Sequence, residues 1–587
     1  MNRFFLLLVF VPVLFACSRK STTPQPNIVL ILTDDQGWGD LSVNGNTNLN
    51  TPNIDALAQS GVTFDRFYVC PVCSPTRAEL LTGRYHVRGG VYATSNGGER
   101  LDLDETTIAE LFKKAGYATA AYGKWHNGMQ APYHPNSRGF DDFYGFCSGH
   151  WGNYFSPMLE HNGNIIQGNG FTIDDFTDRG LHFMEEHEDE PFFLYLPFNT
   201  PHSPMQAPEE YWLRFKNKEL SMFNRDKEHE DVQFTKAALA MCENIDWNVG
   251  RISQKIEELG LSKNTIIIYL SDNGPNSWRW NDDMKGRKGS TDEGGIRSPM
   301  IIKWKDKLPA SKNIIQIAGA IDLLPTLADL AGIEIVPTKA LDGKSLKPLL
   351  LETNPDWNDR LIFSYWGGKT SVRNQKFRLD SENQLFDMEN DPGQYLNVAV
   401  EFPAEFQTLS EAKEKWINEV LSELDRNADR PFTIGHPSME YTQLPARDAV
   451  TQGNIRRSNK YPNSTYFTNW ISANDKIEFK VDVLSEGDYE VELFYTCPSE
   501  DIGSAVRMKF NKSVLDFKIA EAFDPPLLDN IDIYPRMEGY VKPFKRVKIG
   551  NIHLSSGIGK LSMQATEIPG KQVMDFRLLL FRRLVAD

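Results

Sequence analysis

The chain has no excess of positive charge. Its 63 Lys and Arg face 79 Asp and Glu, for a formal net charge of −16. That argues against general nucleic-acid binding and against any broad attraction to anions. If the substrate is an anion, the attraction must be local, a basic pocket on an acidic body. Long apolar runs are also missing: beyond Phe15 no stretch approaches the roughly 20 apolar residues a membrane span needs. There is no internal repeat and no long low-complexity segment, which excludes a repeat array. Cysteine is scarce, six in 587 residues, and no Cys/His cluster with zinc spacing occurs. Metal chemistry, if there is any, falls to oxygen donors.

What is present reads as an ordinary globular protein, 40% hydrophobic and 24% charged, too long for one simple domain. Residues 1–16 look like a signal peptide, with Arg3 as a short basic start before an apolar run. Leu14-Phe15-Ala16-Cys17 looks like a bacterial lipobox, although Phe15 is a less usual residue there. Cys17 is then the expected lipidation site and residues 17–26 a linker. The expectation is an exported protein, lipid-anchored to a bacterial membrane in the periplasm or at the cell surface. An oxidising compartment would allow disulfides among Cys70, Cys147, Cys242 and Cys497, but the sequence does not give the pairing.

Residues 27–33 form a continuous apolar, β-branched run ending in Asp34-Asp35. It reads as a central parallel strand. Residues 265–271 form a second, ending in Asp272-Asn273-Gly274. Residues 117–122 form a third, ending in Gly123-Lys124-Trp125-His126. Residues 191–197 form a fourth, running into Thr200-Pro201-His202. Helical patterns lie between, at 104–115 and at 231–259, where Met241, Ile245, Val249, Ile252, Ile256 and Leu259 repeat at helical spacing. Alternating strands and helices predict a largely parallel sheet covered on both faces. Ligands bind such sheets outside the carboxyl ends of the strands. Four strands carry polar, ionisable residues at that end. Asp34, Asp35, Asp272 and Asn273 offer only oxygens, which favours Ca²⁺ or Mg²⁺.

One further stretch, Cys70-Pro-Val-Cys73-Ser-Pro-Thr-Arg77-Ala-Glu-Leu-Leu-Thr-Gly-Arg84, reads as a loop entering a helix, with Ser74 as N-cap and Pro75 at the first helical position. Cys73 then stands at the positive end of a helix dipole, with Arg77 one turn on, which suits a nucleophile that handles an anion. An isolated cysteine of this kind would more often be buried structure. Here Cys-x-Pro-x-Arg followed by Leu-Thr-Gly-Arg resembles the signature of the type I, formylglycine-dependent sulfatases of the alkaline phosphatase superfamily. The resemblance extends over residues 26–430. It includes Gly123-Lys124-Trp125-His126, Thr200-Pro201-His202-Ser203-Pro204 and Gly286-Arg287-Lys288-Gly289. Small departures flank these positions, at Asn127, Ser298 and Gln394.

The resemblance implies that Cys73 is oxidised to formylglycine (3-oxoalanine) by a formylglycine-generating or anaerobic sulfatase-maturing enzyme. It implies one Ca²⁺ held by Asp34, Asp35, Asp272, Asn273 and the modified Cys73. One hydroxyl of the hydrated aldehyde would attack sulfur, aided by Asp272. Arg77 and Lys124 would stabilise the alkoxide. His202 with Lys288 would serve the departing sugar oxygen, and His126 would take a proton from the second hydroxyl so that sulfate leaves.

The expected fold is α/β. A largely parallel sheet lies between helices in a catalytic domain of residues 27–430, closed by a small antiparallel subdomain at 337–430. In that subdomain, 361–366 and 371–379 read as strands and 404–428 as a helix. Strand-like segments at 476–483, 487–495, 505–510, 547–554, 560–565 and 574–581 predict an all-β sandwich over 431–587, similar to carbohydrate-binding modules. The expected substrate is a sulfated polysaccharide or oligosaccharide, algal (ulvan, carrageenan, fucoidan) or animal. His150, Trp151, Asn153 and Arg279, with Trp278 and Trp280 nearby, are candidate sugar contacts, because aromatic rings stack on sugars and Arg pairs with carboxylates. The competing readings are a phosphohydrolase of the same superfamily, which Cys-x-Pro-x-Arg disfavours, and a catalytically dead glycan-binding lipoprotein, for which a metal ligand should be missing and none is.

Overall fold

The structure, a computed structural model, describes residues 25–336, 339–353, 357–426 and 429–584. The expected signal peptide and the lipidated Cys17 lie outside the described residues. The elements that build the site are β1 (Asn27–Asp34), α1 (Cys73–Thr82), β2 (Ala118–Lys124), β3 (Phe192–Pro201), α2 (Val232–Glu258), β4 (Thr265–Ser271) and β5 (Met300–Trp304).

Ten strands form one sheet. Its order is Lys312–Ile314, Val62–Phe64, β5, β4, β1, β3, β2, Asp142–Phe146, Met158–His161, Asn164–Gln167. β1 lies between β3 and β4, parallel to both, with Leu30 opposite Tyr195 and Ile268. β1 is buried on both faces. Ile28, Leu30 and Leu32 enter one core, and Val29 and Ile31 enter the other. This is why its sequence is a continuous apolar run rather than an alternating one. α2 covers the second face with Ile245, Val249, Ile252 and Ile256. Its N-cap Asp231 accepts hydrogen bonds from the Gln233 and Phe234 N–H groups, so the helix starts where the sequence places it.

A second, four-stranded antiparallel sheet runs through Ile362–Trp366, Lys369–Arg373, Phe377–Leu379 and Leu385–Asp387. The expected strand at 371–379 is in fact two, broken by a turn in which the Asn374 side chain accepts from the Lys376 and Phe377 N–H groups. The following helix, Pro403–Val420, ends earlier than the expected 428. Gln394 ties this region to the start of the short helix Glu293–Ile296: its amide oxygen accepts from the Glu293 N–H at 2.9 Å.

From Phe432 onward, two six-stranded, mainly antiparallel sheets face each other. Phe479 and Val481 of one sheet meet Tyr489, Val491 and Leu493 of the other in one core around the fully buried Trp470. All six expected strands are present, with boundaries shifted by up to a few residues. Cys70, Cys73, Cys147, Cys242 and Cys497 are buried and unpaired. None of the described helices is long and apolar enough to cross a membrane.

Candidate active site

The parallel registers bring the ends of β1 and β4 together. Asp34 and Asp35 close β1, Asp272 and Asn273 follow β4, and the Asp272 N–H donates to the Thr33 carbonyl at 3.0 Å. The Asp35 N–H donates to Asp272 Oδ1 at 3.2 Å, and Asn273 Nδ2 to Asp35 Oδ1 at 2.8 Å. All four residues are buried. Asp35 (φ 68°) and His126 (φ 67°) both adopt left-handed backbone, a strain that chains retain mainly at functional positions.

Three cations face the three carboxylates. Lys124, the last residue of β2, donates from Nζ to Asp34 Oδ2 at 2.5 Å. Arg77 donates to Asp272 Oδ2 at 2.8 Å and to the Lys124 carbonyl at 2.7 Å. Lys288 Nζ lies 2.6 Å from Asp35 Oδ1. Burial disfavours a charged Asp34, but Lys124, His202, Arg77 and Lys288 together hold its carboxyl well below the ordinary range. Asp272 goes the other way: burial and the Asp34 charge push it well above the ordinary range, and Arg77 only partly opposes them. Burial works against the Lys288 charge, yet Asp35, Cys73 and Asp34 raise its pKa.

The crowding of like charge bears on what the site can hold. Asp34 Oδ1 and Asn273 Oδ1 are buried without a hydrogen-bond partner. One donor atom from each of Asp34, Cys73 and Asp272 lies within 4.8 Å of the others. Unsatisfied buried oxygens gathered around carboxylates suit a hard divalent cation bound through oxygen. The residues present therefore fit a metal ion.

α1 begins at Cys73 itself, with Val72 as N-cap, two residues earlier than expected. Ser74 does not cap it, and its hydroxyl is buried without a partner. The whole helix is buried. Thr76 ties it to the sheet, its hydroxyl donating to the Asp272 carbonyl at 2.6 Å. Cys73 thus lies beside the carboxylate cluster and lines a cavity of about 310 Å³ together with Val72, His126, His150, His202 and Lys288. His126 Nε2 lies 2.9 Å from the Thr94 carbonyl, so Nε2 carries the proton and Nδ1, unpartnered, keeps its lone pair. Burial and the neighbouring Lys124 hold this imidazole neutral, its pKa well below the ordinary value. His202 Nδ1 faces the Ser203 carbonyl at 2.6 Å, and its Nε2 lies 3.7 Å from Asp35 Oδ2. Two glycines permit these approaches. A Cβ at Gly149 would stand 2.3 Å from His126 Nε2, and one at Gly123 (φ 138°) 2.1 Å from the Pro197 carbonyl oxygen.

The candidate sugar contacts divide. His150 lines this cavity, with both ring nitrogens buried and unpartnered. Burial drives its pKa down to about 3. Trp151 and Asn153 line a different cavity, of about 530 Å³, against the C-terminal sheets. There Trp151 stacks on Phe146, and Asn153 pairs with the Phe155 backbone. Arg279 is not a sugar contact. Its side chain is 0% exposed and locked to Asp40 at 2.6–3.0 Å and to the Asp35 carbonyl at 2.9 Å. It braces the loop that carries the Asp pair. Sequence reasoning missed Thr94, Trp366, Tyr461, Asn463, Ser464 and Glu538, which also line the catalytic cavity. They come from four separate stretches of the chain, with Tyr461, Asn463 and Ser464 together in one of them, and fall outside any motif, so no local signal marked them.

Parallel strands ending in carboxylates, a buried cysteine at a helix start and a ring of Lys, Arg and His are the layout of a hydrolase of anionic esters. The chain belongs to the sulfatase family: the Sulfatase family model matches residues 26–333, and that of the N-sulphoglucosamine sulphohydrolase C-terminal region matches 287–422. It is a sulfuric ester hydrolase. It is 34% identical to the N-acetylgalactosamine-6-sulfatase of Mus musculus over 381 residues, 59% of this chain and 69% of that protein. It is 32% identical to Ps i-CgsB, whose crystal structure in complex with k-i-k-neocarrahexaose superposes with a TM-score of 0.62 over 69% of this chain and 95% of that one. The phosphonate monoester hydrolase of Agrobacterium radiobacter, at 22% identity and TM-score 0.53 over 68% of this chain and 96% of that one, shares the fold.

Proposed function

We propose that this sulfatase hydrolyses sulfate esters of sulfated polysaccharides or oligosaccharides, with Cys73 matured to formylglycine and Ca²⁺ as its metal. The observation that carries the reading is the position of Cys73. It sits at the first turn of a wholly buried helix, against the Asp34–Asp35–Asp272–Asn273 cluster, in a cavity that also presents His126, His202 and Lys288. An unmodified structural cysteine has no need of that company. A carbohydrate substrate is supported by the relatives, one an N-acetylgalactosamine-6-sulfatase and one crystallised in complex with k-i-k-neocarrahexaose.

When present, formylglycine would supply a hydrated aldehyde as nucleophile, and Ca²⁺, held by Asp34, Asp35, Asp272 and Asn273, would draw charge from a sulfate oxygen. The chain's own residues supply the rest. Arg77 and Lys124, each pinned by a buried carboxylate, place fixed positive charge beside residue 73, where negative charge develops. His202, with its Nε2 edge open to the cavity and Lys288 alongside, is placed to protonate the departing sugar oxygen. His126, neutral and with a free Nδ1, is placed to take the proton that releases sulfate.

We also propose export and lipid anchoring through Cys17 to a bacterial membrane, and maturation by a formylglycine-generating or anaerobic sulfatase-maturing enzyme. The test is sulfate release from a panel of algal and animal sulfated glycans, with protein coexpressed with a formylglycine-generating system and Cys73→Ala alongside. Release from one glycan, absent in the control, supports the reading and names the substrate. No release on any glycan, with formylglycine at residue 73 verified by mass spectrometry, overturns it.

A further inference from the structure

The segment between the strands Ser513–Lys518 and Lys545–Leu554 leaves the C-terminal sheets and lies on the catalytic domain. Residues 532–538 fasten it there. The Ile533 N–H donates to the Met205 carbonyl at 2.9 Å. Tyr534 donates its hydroxyl to Asp231 at 2.8 Å, and Gln206 donates to Asp532 at 2.7 Å. Arg536, its side chain wholly buried, bonds the Gly152 carbonyl and pairs with Asp532 at 2.6 Å. The segment thereby delivers Glu538 into the catalytic cavity, where Oε1 accepts the Ser203 hydroxyl at 2.9 Å.

Glu538 is the one acidic residue among those lining that cavity. An acid is unexpected in a pocket for anionic esters. It stands next to His202, on the leaving-group side, and next to His150. His150 is 94% buried, and neither of its ring nitrogens has a partner. The His150 and His202 rings are 5.7 Å apart between centroids. A buried imidazole with two unsatisfied nitrogens calls for a ligand group that can hydrogen-bond it. A carboxylate beside it accepts hydrogen bonds and repels anions.

We propose that Glu538 and His150 form a sugar subsite, supplied jointly by the C-terminal region and the catalytic domain, that binds adjacent uncharged hydroxyls on the ring carrying the scissile sulfate. The same subsite excludes rings bearing a carboxylate or a second sulfate at that edge. The C-terminal sheets thus complete the catalytic pocket instead of serving only as a detached glycan-binding module. The inference rests on the sulfated-glycan reading above.

The test compares galactose 6-sulfate with galactose 2,6-disulfate, and N-acetylgalactosamine 6-sulfate with its 4,6-disulfate, in the wild type, Glu538→Gln and His150→Ala. Calorimetric binding to each protein in a Cys73→Ala background gives the ratio of affinities for the two sugars of each pair without requiring turnover. Hydrolysis of 4-nitrophenyl sulfate by the matured wild type is followed separately and tests only the sulfatase reading. In the wild type the monosulfate binds more tightly. Glu538→Gln, nearly isosteric and able to keep the Ser203 bond, shifts the ratio toward the disulfate by about 10-fold or more, the worth of one charged hydrogen bond. His150→Ala weakens the monosulfate. A wild-type preference for the disulfates, or a ratio unchanged in Glu538→Gln, overturns the proposal even if 4-nitrophenyl sulfate is hydrolysed.

Discussion

Asp272→Ala separates the two roles the site assigns to one carboxylate. Asp272 is the 2.8 Å partner of Arg77, with both side chains 0% exposed. It is also one of the oxygens gathered around the expected metal position. Removing it leaves a buried guanidinium unpaired, which costs about 3–5 kcal/mol. Part of that is offset, because the substitution also relieves the repulsion by Asp34 that raises the Asp272 pKa. The metal effect adds to this. An ion present at 100 to 1,000 times its Kd stabilises the native state by about 2.7–4.1 kcal/mol. Losing a central ligand should erase most of that increment. The assay is denaturant unfolding of wild type and variant in EDTA and in excess Ca²⁺, with sulfate release measured in parallel. The variant should be less stable in EDTA, and the gap should widen by about 3 kcal/mol in Ca²⁺, with turnover abolished. A gap that is the same in both buffers would make Asp272 a structural partner of Arg77 and nothing more. Wild-type turnover in the variant would refute the metal assignment.

Arg279→Ala should lower stability by about 3–5 kcal/mol, because Asp40 loses its buried partner, while leaving substrate preference across the glycan panel unchanged. A shift in preference would restore Arg279 as a sugar contact. Glu79, on α1, is buried and its pKa is pushed up to about 8, burial outweighing its hydrogen bonds with Cys70 and the His86 backbone. The folded state therefore keeps a proton that the unfolded chain releases above about 4.5. The stability this contributes is present below that pH and is lost as pH rises through 8. Glu79→Gln should flatten the urea midpoint between pH 5 and 9, with its advantage growing toward alkaline pH, and parallel curves for the two proteins would refute the assignment. Gly123→Ala should cost about 2–5 kcal/mol in thermal or urea unfolding, since it combines left-side backbone with a Cβ driven into the Pro197 carbonyl. A neutral result would show that β2 and β3 can part at that point.

The halves of the pocket differ in how far they can be read from sequence, and the reason is physical. The sulfate-handling half is built at strand ends. A strand buried on both faces, such as β1, must be apolar throughout, so Asp34-Asp35 after it is an abrupt change that a reader can see. The same holds for Asp272-Asn273 after β4 and Lys124 at the end of β2. Parallel pairing then brings those ends together whatever the details of the connections, so short motifs were enough to list the group. Where charge had to be assigned a purpose, the same reasoning failed. Arg279 sits near these motifs, but its partner Asp40 lies 239 positions away in the sequence, and no pattern distinguishes a brace from a ligand contact. The sugar-facing half has no such grammar. Glu538 meets Ser203 across 335 positions, from a segment without periodicity. Its placement depends on docking through Ile533, Tyr534 and Arg536, each an ordinary residue in isolation. The wall at His150–Trp151 makes the same point at shorter range, since adjacent residues face two different cavities. On the reading proposed above, the reaction is encoded in short motifs bound to the sheet, and the choice of glycan in long-range contacts between the catalytic domain and the C-terminal sheets. Substitutions in the 519–544 segment should consequently move substrate preference while leaving the buried Arg77–Asp272 and Lys124–Asp34 pairs in place, because none of those four residues touches it.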